Sequence, residues 1–301
     1  MNRLDLHLHD GALRLGLPDA AAKSLVRWRR AARHPVLVLR RQSIPERLRR
    51  HPWFSLISRD QGHALFSADD LDRVAPAIEA CRAIREEVRE RDTSDHKKPF
   101  FANVMSEEAL NAYPAIMDLV LSDAVLAAVT GYFGEVPRLK GVGLYLSPAN
   151  ETTRSSQLFH FDHDDRRQIK CFVNVEAVDE DNGPFTFLAK PESARIRDRV
   201  KAEKGRYSDD DITREAPVES WLTLQGPAGS AGFVDTSNCL HFGSRARRGD
   251  RLALMFQFTR FPDYRLDKGK LEDGQPLHRF PLERYARDDL TRLVLQPVRA
   301  F

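Results

Sequence analysis

The stretch that decides both fold and chemistry runs from Gln157 to Asp165 and reads QLFHFDHDD. In an extended strand successive side chains alternate between faces, so residues two apart point the same way. His160 and Asp162 then share one face, and Phe161 takes the other. One imidazole beside one carboxylate makes two legs of a metal site. The third leg is expected from His241, in the stretch DTSNCLHFGS from Asp235 to Ser244.

Further along, Arg251 heads the apolar run LALMFQF. A guanidinium there is suited to holding a dicarboxylate in a bidentate manner. Between these pieces, Asp179-Glu180-Asp181-Asn182-Gly183-Pro184 reads as a tight turn joining two strands. The run IKCFVNV puts Lys170, Phe172 and Asn174 on one face, and Ile169, Cys171, Val173 and Val175 on the other. The polar face is expected to look into a lumen, where a buried lysine needs an anionic partner. Two histidines and one carboxylate with open coordination positions suit non-haem Fe(II).

With these residues in view, the segment from about Gly141 to Arg260 resembles the phytanoyl-CoA dioxygenase family of Fe(II)/2-oxoglutarate-dependent oxygenases. The likeness lies in Gln157-x-x-His160-x-Asp162, IKCFVNV, VDEDNGPFTFLA, His241 and Arg251, taken in the family's order. Two departures leave the subfamily and substrate open. Ala189-Lys190-Pro191-Glu192-Ser193 stands where the family often has Pro-Gly-Ser-His, and the His-to-Arg interval is often one residue longer. The resemblance implies a double-stranded β-helix, with Fe(II) held by His160, Asp162 and His241. It also implies 2-oxoglutarate as cosubstrate, with its C5 carboxylate on Arg251, and O2. Gln157, Lys170 and Asn174 are further candidates for cosubstrate binding. Retention of a carboxylate at Asp162 implies hydroxylation or another oxidation, since related halogenases carry a small residue there. Three other readings stand beside this one: a cupin-like metalloenzyme without 2-oxoglutarate, a catalytically silent barrel that binds, and a protein acting through its basic N-terminal region.

Composition is that of an ordinary globular chain, with 301 residues, 42% hydrophobic and 30% charged. The N-terminal MNRLDLHLHDGALRL has acids and histidines where a secretory leader would be apolar. No apolar run approaches the ~20 residues of a membrane span. A cytoplasmic protein with a small-molecule substrate is expected, anionic substrates among those that fit. Oligomeric state is not readable. Cys81, Cys171 and Cys239 are far apart, so buried reduced thiols are expected. The net charge is only +3, yet Lys23 to Arg50 holds nine arginines and one acid, Glu46. An anionic partner would suit that stretch, but arginine stems packed on a helix face explain it better. No nucleic-acid motif accompanies the charge, and no nucleic-acid partner is expected.

The expected fold class is mainly β with helices (α+β): a jelly roll of the cupin type with packed N-terminal helices. It forms one domain over 1–301, divided into a helical part (1–135), the barrel (136–260) and a tail (261–301). Asp19 is read as the N-cap of a helix ended by Pro35, and Val36 to Leu39 as a short buried strand. The segment from Gln42 to Gln61 is read as irregular. Ser67 is read as capping a helix from Ala68 to about Arg91, with a stripe of Leu71, Val74, Ile78, Cys81, Ile84 and Val88. Asp92 to Phe101 reads as a polar loop. A helical pair is expected from Glu107 to Phe133, broken near Ser122 and closed by Gly134. Eight strands follow: Gly141–Ser147, Gln157–Phe161, Gln168–Val175, Pro184–Leu188, Glu219–Leu224, Ala231–Asp235, Cys239–Phe242 and Arg251–Thr259. The charged stretch Glu192 to Val218 is expected to be helical and stands where a lid would.

Overall fold

The computed structural model describes residues 3–88, 99–199, 205–243, 245–262 and 284–295. The loop residues His96, Lys97 and Lys98, and most of the tail after Pro262, lie outside the described residues.

The N-terminal part is helical. It comprises α1 (Arg3–Arg14), α2 (Asp19–Ala32), α3 (Pro35–Gln42), α4 (Glu46–Arg49), α5 (Val74–Glu87), α6 (Glu107–Ala112), α7 (Ala115–Val120) and α8 (Asp123–Phe133). Two expectations fail here. Pro18, not Asp19, is the N-cap of α2. Val36 to Leu39 is helical, and Val36 and Leu39 are 69% and 62% exposed. A proline pre-sets φ for a first helical turn, and a four-residue apolar run is too short to establish a period. The expected irregular segment contains α4 and a 3-10 turn, Pro52–Ser55.

The long helix expected after Ser67 is divided. Ser67 and Asp70 form a capping box on a 3-10 turn, Ala68–Asp70. Arg73 then adopts a left-handed conformation (φ 68°) before α5 begins. The predicted stripe from Leu71 to Val88 is nonetheless buried throughout. The expected helical pair is three helices, because Tyr113-Pro114 adds a break between α6 and α7. The Ser122 hydroxyl caps α8, and Gly134 closes it at φ 74°.

The strands are β1 (His63–Phe66), β2 (Ala102–Asn103), β3 (Arg138–Ser147), β4 (Gln168–Asn174), β5 (Phe185–Phe187), β6 (Leu222–Leu224), β7 (Ala231–Asp235), β8 (His241–Phe242) and β9 (Arg251–Thr259). They form two antiparallel sheets. One has the order β1-β7-β4-β9-β3-β2 and the other β6-β5-β8. The expected strand Gln157–Phe161 is not one. A 3-10 turn covers Ser155–Gln157, and Phe159 and His160 make single bridges only, to Tyr207 and His241.

Side-chain alternation sorts the residues into layers. Ile169, Cys171 and Val173 of β4, Leu252, Leu254, Phe256 and Phe258 of β9, and Phe233 of β7 pack with α5, α7 and α8 in one large core. The remaining helix, α11 (Asp289–Leu295), joins the same core through Leu290, Leu293 and Val294. Between the sheets lies a small core of Phe172, Phe185, Phe187, Leu224, Val234 and Cys239. A third core backs the smaller sheet, where α9 (Lys190–Arg199) and α10 (Asp209–Thr213) pack Ile196 and Ile212 on Phe159, Phe161, Leu240 and Phe242. The charged stretch after Glu192 therefore contains two helices among its described residues.

The turn between β4 and β5 depends on Gly183. Its φ is +68°, and an added Cβ would lie 2.3 Å from the Ala246 nitrogen and 2.5 Å from the Arg245 carbonyl carbon. Both the backbone conformation and the close approach require glycine. Gly183→Ala is expected to lower unfolding stability by about 3 kcal/mol, read as a lower urea midpoint. A midpoint like that of the parent chain would refute this account of the turn.

Candidate metal centre

Two backbone hydrogen bonds build the centre. The His160 N–H donates to the His241 carbonyl (2.9 Å), and the His241 N–H donates to the His160 carbonyl (3.1 Å). On either side of this bridge the chain alternates. Phe159, Phe161, Leu240 and Phe242 enter the outer core, so His160, Asp162 and His241 project the other way. One donor atom from each of the three lies within 4.8 Å of the others. His160 Nε2 is 3.9 Å from Asp162 Oδ1, and His241 Nε2 is 3.7 Å from Asp162 Oδ2.

The tautomers follow from the hydrogen bonds. His160 Nδ1 lies 2.9 Å from the Leu158 carbonyl, and His241 Nδ1 lies 2.9 Å from the Cys239 carbonyl. A carbonyl only accepts, so each Nδ1 carries the hydrogen and each Nε2 presents its lone pair to the centre. Burial lowers both imidazole pKa values, that of His241 to about 3 with help from the neighbouring His160. Both rings are thus neutral near pH 7, the form that ligates metal.

Asp162 is held ionised. Burial alone would raise its pKa, but Lys170 and the two histidines outweigh that and hold it well below the usual carboxylate range. Lys170 Nζ is 2.7 Å from Asp162 Oδ2, which supplies the anionic partner that a buried lysine on this face requires. Gln168 Nε2 also donates to Oδ2 (2.9 Å), and to Thr236 Oγ1 (2.7 Å). Gln168 was not anticipated as a site residue. It stands two positions before Lys170 on β4, so the same alternation that selected Lys170 points to it.

Arg251 opens on the same cavity as the two histidines. This cavity, of about 60 Å³, is lined by His160, Lys170, Phe172, His241, Arg251 and Met255 among others. Phe172 and Phe185 stack at 4.0 Å between centroids beside it. Arg251 is 3% exposed, and its Nη1 donates to the Gly183 carbonyl (3.1 Å). Its Nε has no hydrogen-bond partner, and no acid lies within ion-pair distance among the described residues. Burial pushes its pKa down to about 10, so it stays charged near neutrality.

Other predicted contacts fall elsewhere. Gln157 is buried, but its amide organises a turn: Oε1 accepts from Thr152 Oγ1 and the Arg154 N–H, and Nε2 donates to Asn150 Oδ1. Asn174 donates to the Leu224 carbonyl (3.3 Å) at the far end of β4, away from the residues lining the cavity. Near the triad, Asp164 accepts from Gln257, Asp165 lies beside Arg260, and His163 is exposed. No described residue of the stretch from Glu192 to Val218 lines this cavity.

No family profile and no curated protein matches the chain. Among solved structures it is similar to SnoK, a non-haem alpha-ketoglutarate-dependent carbocyclase from nogalamycin biosynthesis. That pair shares 14% identity over 77% of this chain and 90% of that one, at a TM-score of 0.47. It is similar to HygX from Streptomyces hygroscopicus, solved with nickel and 2-oxoglutarate bound, at 14% identity over 67% and 84% and a TM-score of 0.46. It is also similar to EctD from S. alaskensis, solved with 2-oxoglutarate and 5-hydroxyectoine, at 14% identity over 76% and 82% and a TM-score of 0.48.

A buried guanidinium without an acid partner costs stability. Arg251→Met keeps a similar stem and removes the charge, so it is expected to leave the unfolding free energy unchanged or raise it. Urea denaturation reads this directly. A loss beyond about 2 kcal/mol would mean that Arg251 serves the fold.

Proposed function

We propose that this chain is a non-haem Fe(II)/2-oxoglutarate-dependent oxygenase that hydroxylates an unactivated C–H of a small molecule, with release of succinate and carbon dioxide. The observation that carries the reading is that the two histidines of a ligand-ready triad and a buried guanidinium without an acid partner open on one cavity. The donor set fits iron, since two neutral Nε2 atoms and one ionised carboxylate converge from one side and leave the other open. Arg251 fits the remote carboxylate of a diacid, with a planar fork in a site that excludes water.

Bound there, ferrous iron with 2-oxoglutarate would supply the activation of oxygen that no side chain can. The chain's own residues position and protect. Gln168 and Lys170 fix the Asp162 carboxylate, and the carbonyls of Leu158 and Cys239 fix the two rings. The Phe172–Phe185 stack walls the cavity with apolar surface.

The finer parts of the proposal are a jelly-roll core in a single domain, kinship with phytanoyl-CoA dioxygenase, and a cytoplasmic setting. Two antiparallel sheets sharing a small core between them support the first. The spacing Gln157-x-x-His160-x-Asp162, with His241 and Arg251 following, supports the second. No helix among the described residues is long and apolar enough to cross a membrane, which accords with the third.

The test is anaerobic addition of Fe(II) and 2-oxoglutarate to protein stripped of metal, followed in the visible spectrum. A weak charge-transfer band is expected, absent in His160→Ala and in His241→Ala. Arg251→Met is expected to weaken 2-oxoglutarate at least tenfold while iron still binds. Iron bound without a band would overturn the cosubstrate and favour a cupin-like metalloenzyme. No iron bound would leave a silent binding barrel.

A further inference from the structure

A second and larger concavity lies beside the segment that carries Asp162. An open cleft of about 920 Å³ runs between α2 and the 161–167 loop, and Asp162 is among its lining residues. Its size falls within the range of about 300–1,000 Å³ typical of small-molecule sites. Seven basic side chains line it against three acidic ones. Two of the seven are neutralised: Arg27 pairs with Glu135, and Arg260 lies 3.5 Å from Asp165.

Four others have no ion-pair partner among the described residues: Arg166, Arg167, Lys190 and Arg197. Arg166 donates to Ser24 Oγ, Lys190 to the Arg59 carbonyl, and Arg197 to the Ser237 carbonyl. Arg197 is further held over the Phe161 ring at 3.9 Å. These are neutral hydrogen-bond partners, so none of the four charges is closed by an ion pair among the described residues, although Asp235 and Asp198 favour the charged form of Arg197. Cations clustered in a cleft focus their field and raise the local concentration of anions. Apolar surface from Trp28, Phe161 and Phe261 accompanies them. A concave site with an apolar wall suits a small molecule better than a nucleic-acid backbone, which needs an extended stripe.

We infer that this cleft is the substrate site, and that it takes a small molecule bearing a carboxylate or phosphate group, held by Arg166, Arg167, Lys190 and Arg197 with the rest of the molecule directed toward Asp162. The inference rests on the proposed oxygenase reading for the word substrate, though the anion site itself does not. The inner cavity and the outer cleft would then divide the work: the cosubstrate lies on Arg251, and the substrate reaches the triad from the Asp162 side. Two cations of α9, Lys190 and Arg197, give that charged helix a place at the rim of this cleft.

The experiment uses the full-length chain without added iron. Inorganic pyrophosphate and citrate are titrated at constant ionic strength, following the emission of Trp28, which is 72% exposed and lines the cleft. Trp28→Phe serves as the optical control. Saturable binding of at least one probe is expected. It should weaken at least tenfold in Arg166→Glu/Arg167→Glu, and less than twofold in Arg50→Glu. Tighter pyrophosphate assigns a phosphate group, and tighter citrate a carboxylate. Should the double reversal fail to fold, Arg166→Gln/Arg167→Gln reads the same loss in milder form. A response that never saturates, or affinities unchanged in the charge variants, would overturn the inference. The charge-transfer band separates the two proposals. Anion binding without a band overturns the oxygenase alone, and a band without anion binding overturns the cleft alone.

Discussion

The structure depends on the paired hydrogen bonds between His160 and His241. They are a single bridge and not a ladder, yet they fix the phase of two alternating segments at once. With that phase set, four apolar side chains bury on one side and the three that could hold a metal meet on the other. A slip of one residue in either segment would exchange the sets. It would place an imidazole among phenylalanines and leave the centre without a donor. The apolar residues therefore secure the metal geometry as firmly as any polar contact does. Phe159 and Phe242, packed edge to face at 4.7 Å, belong to the site although neither reaches it.

The electrostatics of the inner face invert what a fold built for stability would choose. Lys170 and Arg251 line one cavity and Asp162 pairs with Lys170 beside it, and burial disfavours every one of those charges. Asp162 and Lys170 compensate each other, while Arg251 has only carbonyl company. The large core on the other face of the same sheet offsets that cost, with β9 alternating between apolar residues outside and Arg251, Ala253 and Met255 inside. Arg41 shows how the chain treats an arginine that serves packing. It is as buried as Arg251, but three backbone carbonyls accept from it.

Much of this was legible where side chains alternate over several residues. The bounds of β7 and β9 agree with the sequence, and the two faces of β4 divide as its pattern implies. The triad could be anticipated because His160 and Asp162 are two apart. Short runs without a period were not legible. Val36 to Leu39 is as apolar as a strand, but Pro35 starts a helix there. Gln157 looked like a ligand from its spacing, whereas its amide closes a turn with Asn150 and Thr152, contacts that depend on a loop conformation with no simple code. The arginine-rich segment was legible only as charge. Its side chains turn out to be paired with Asp5, Glu135 and Asp288.

That last point bears on where the chain keeps unbalanced charge. The nine arginines between Lys23 and Arg50 draw the eye, yet several have acids or carbonyls to meet. The cations without an ion pair among the described residues include the less conspicuous Arg166, Arg167, Lys190 and Arg197, scattered in sequence and brought together by folding. Two follow Asp162 by only a few residues, and two come from α9, which the outer core pins behind Phe161. The same packing that points Phe161 away from the metal ligands therefore seats Arg197 over its ring. The charge of the cleft is thereby tied to the geometry of the centre. A change that loosened α9 would alter both the field that gathers an anion and the alternation that aims Asp162.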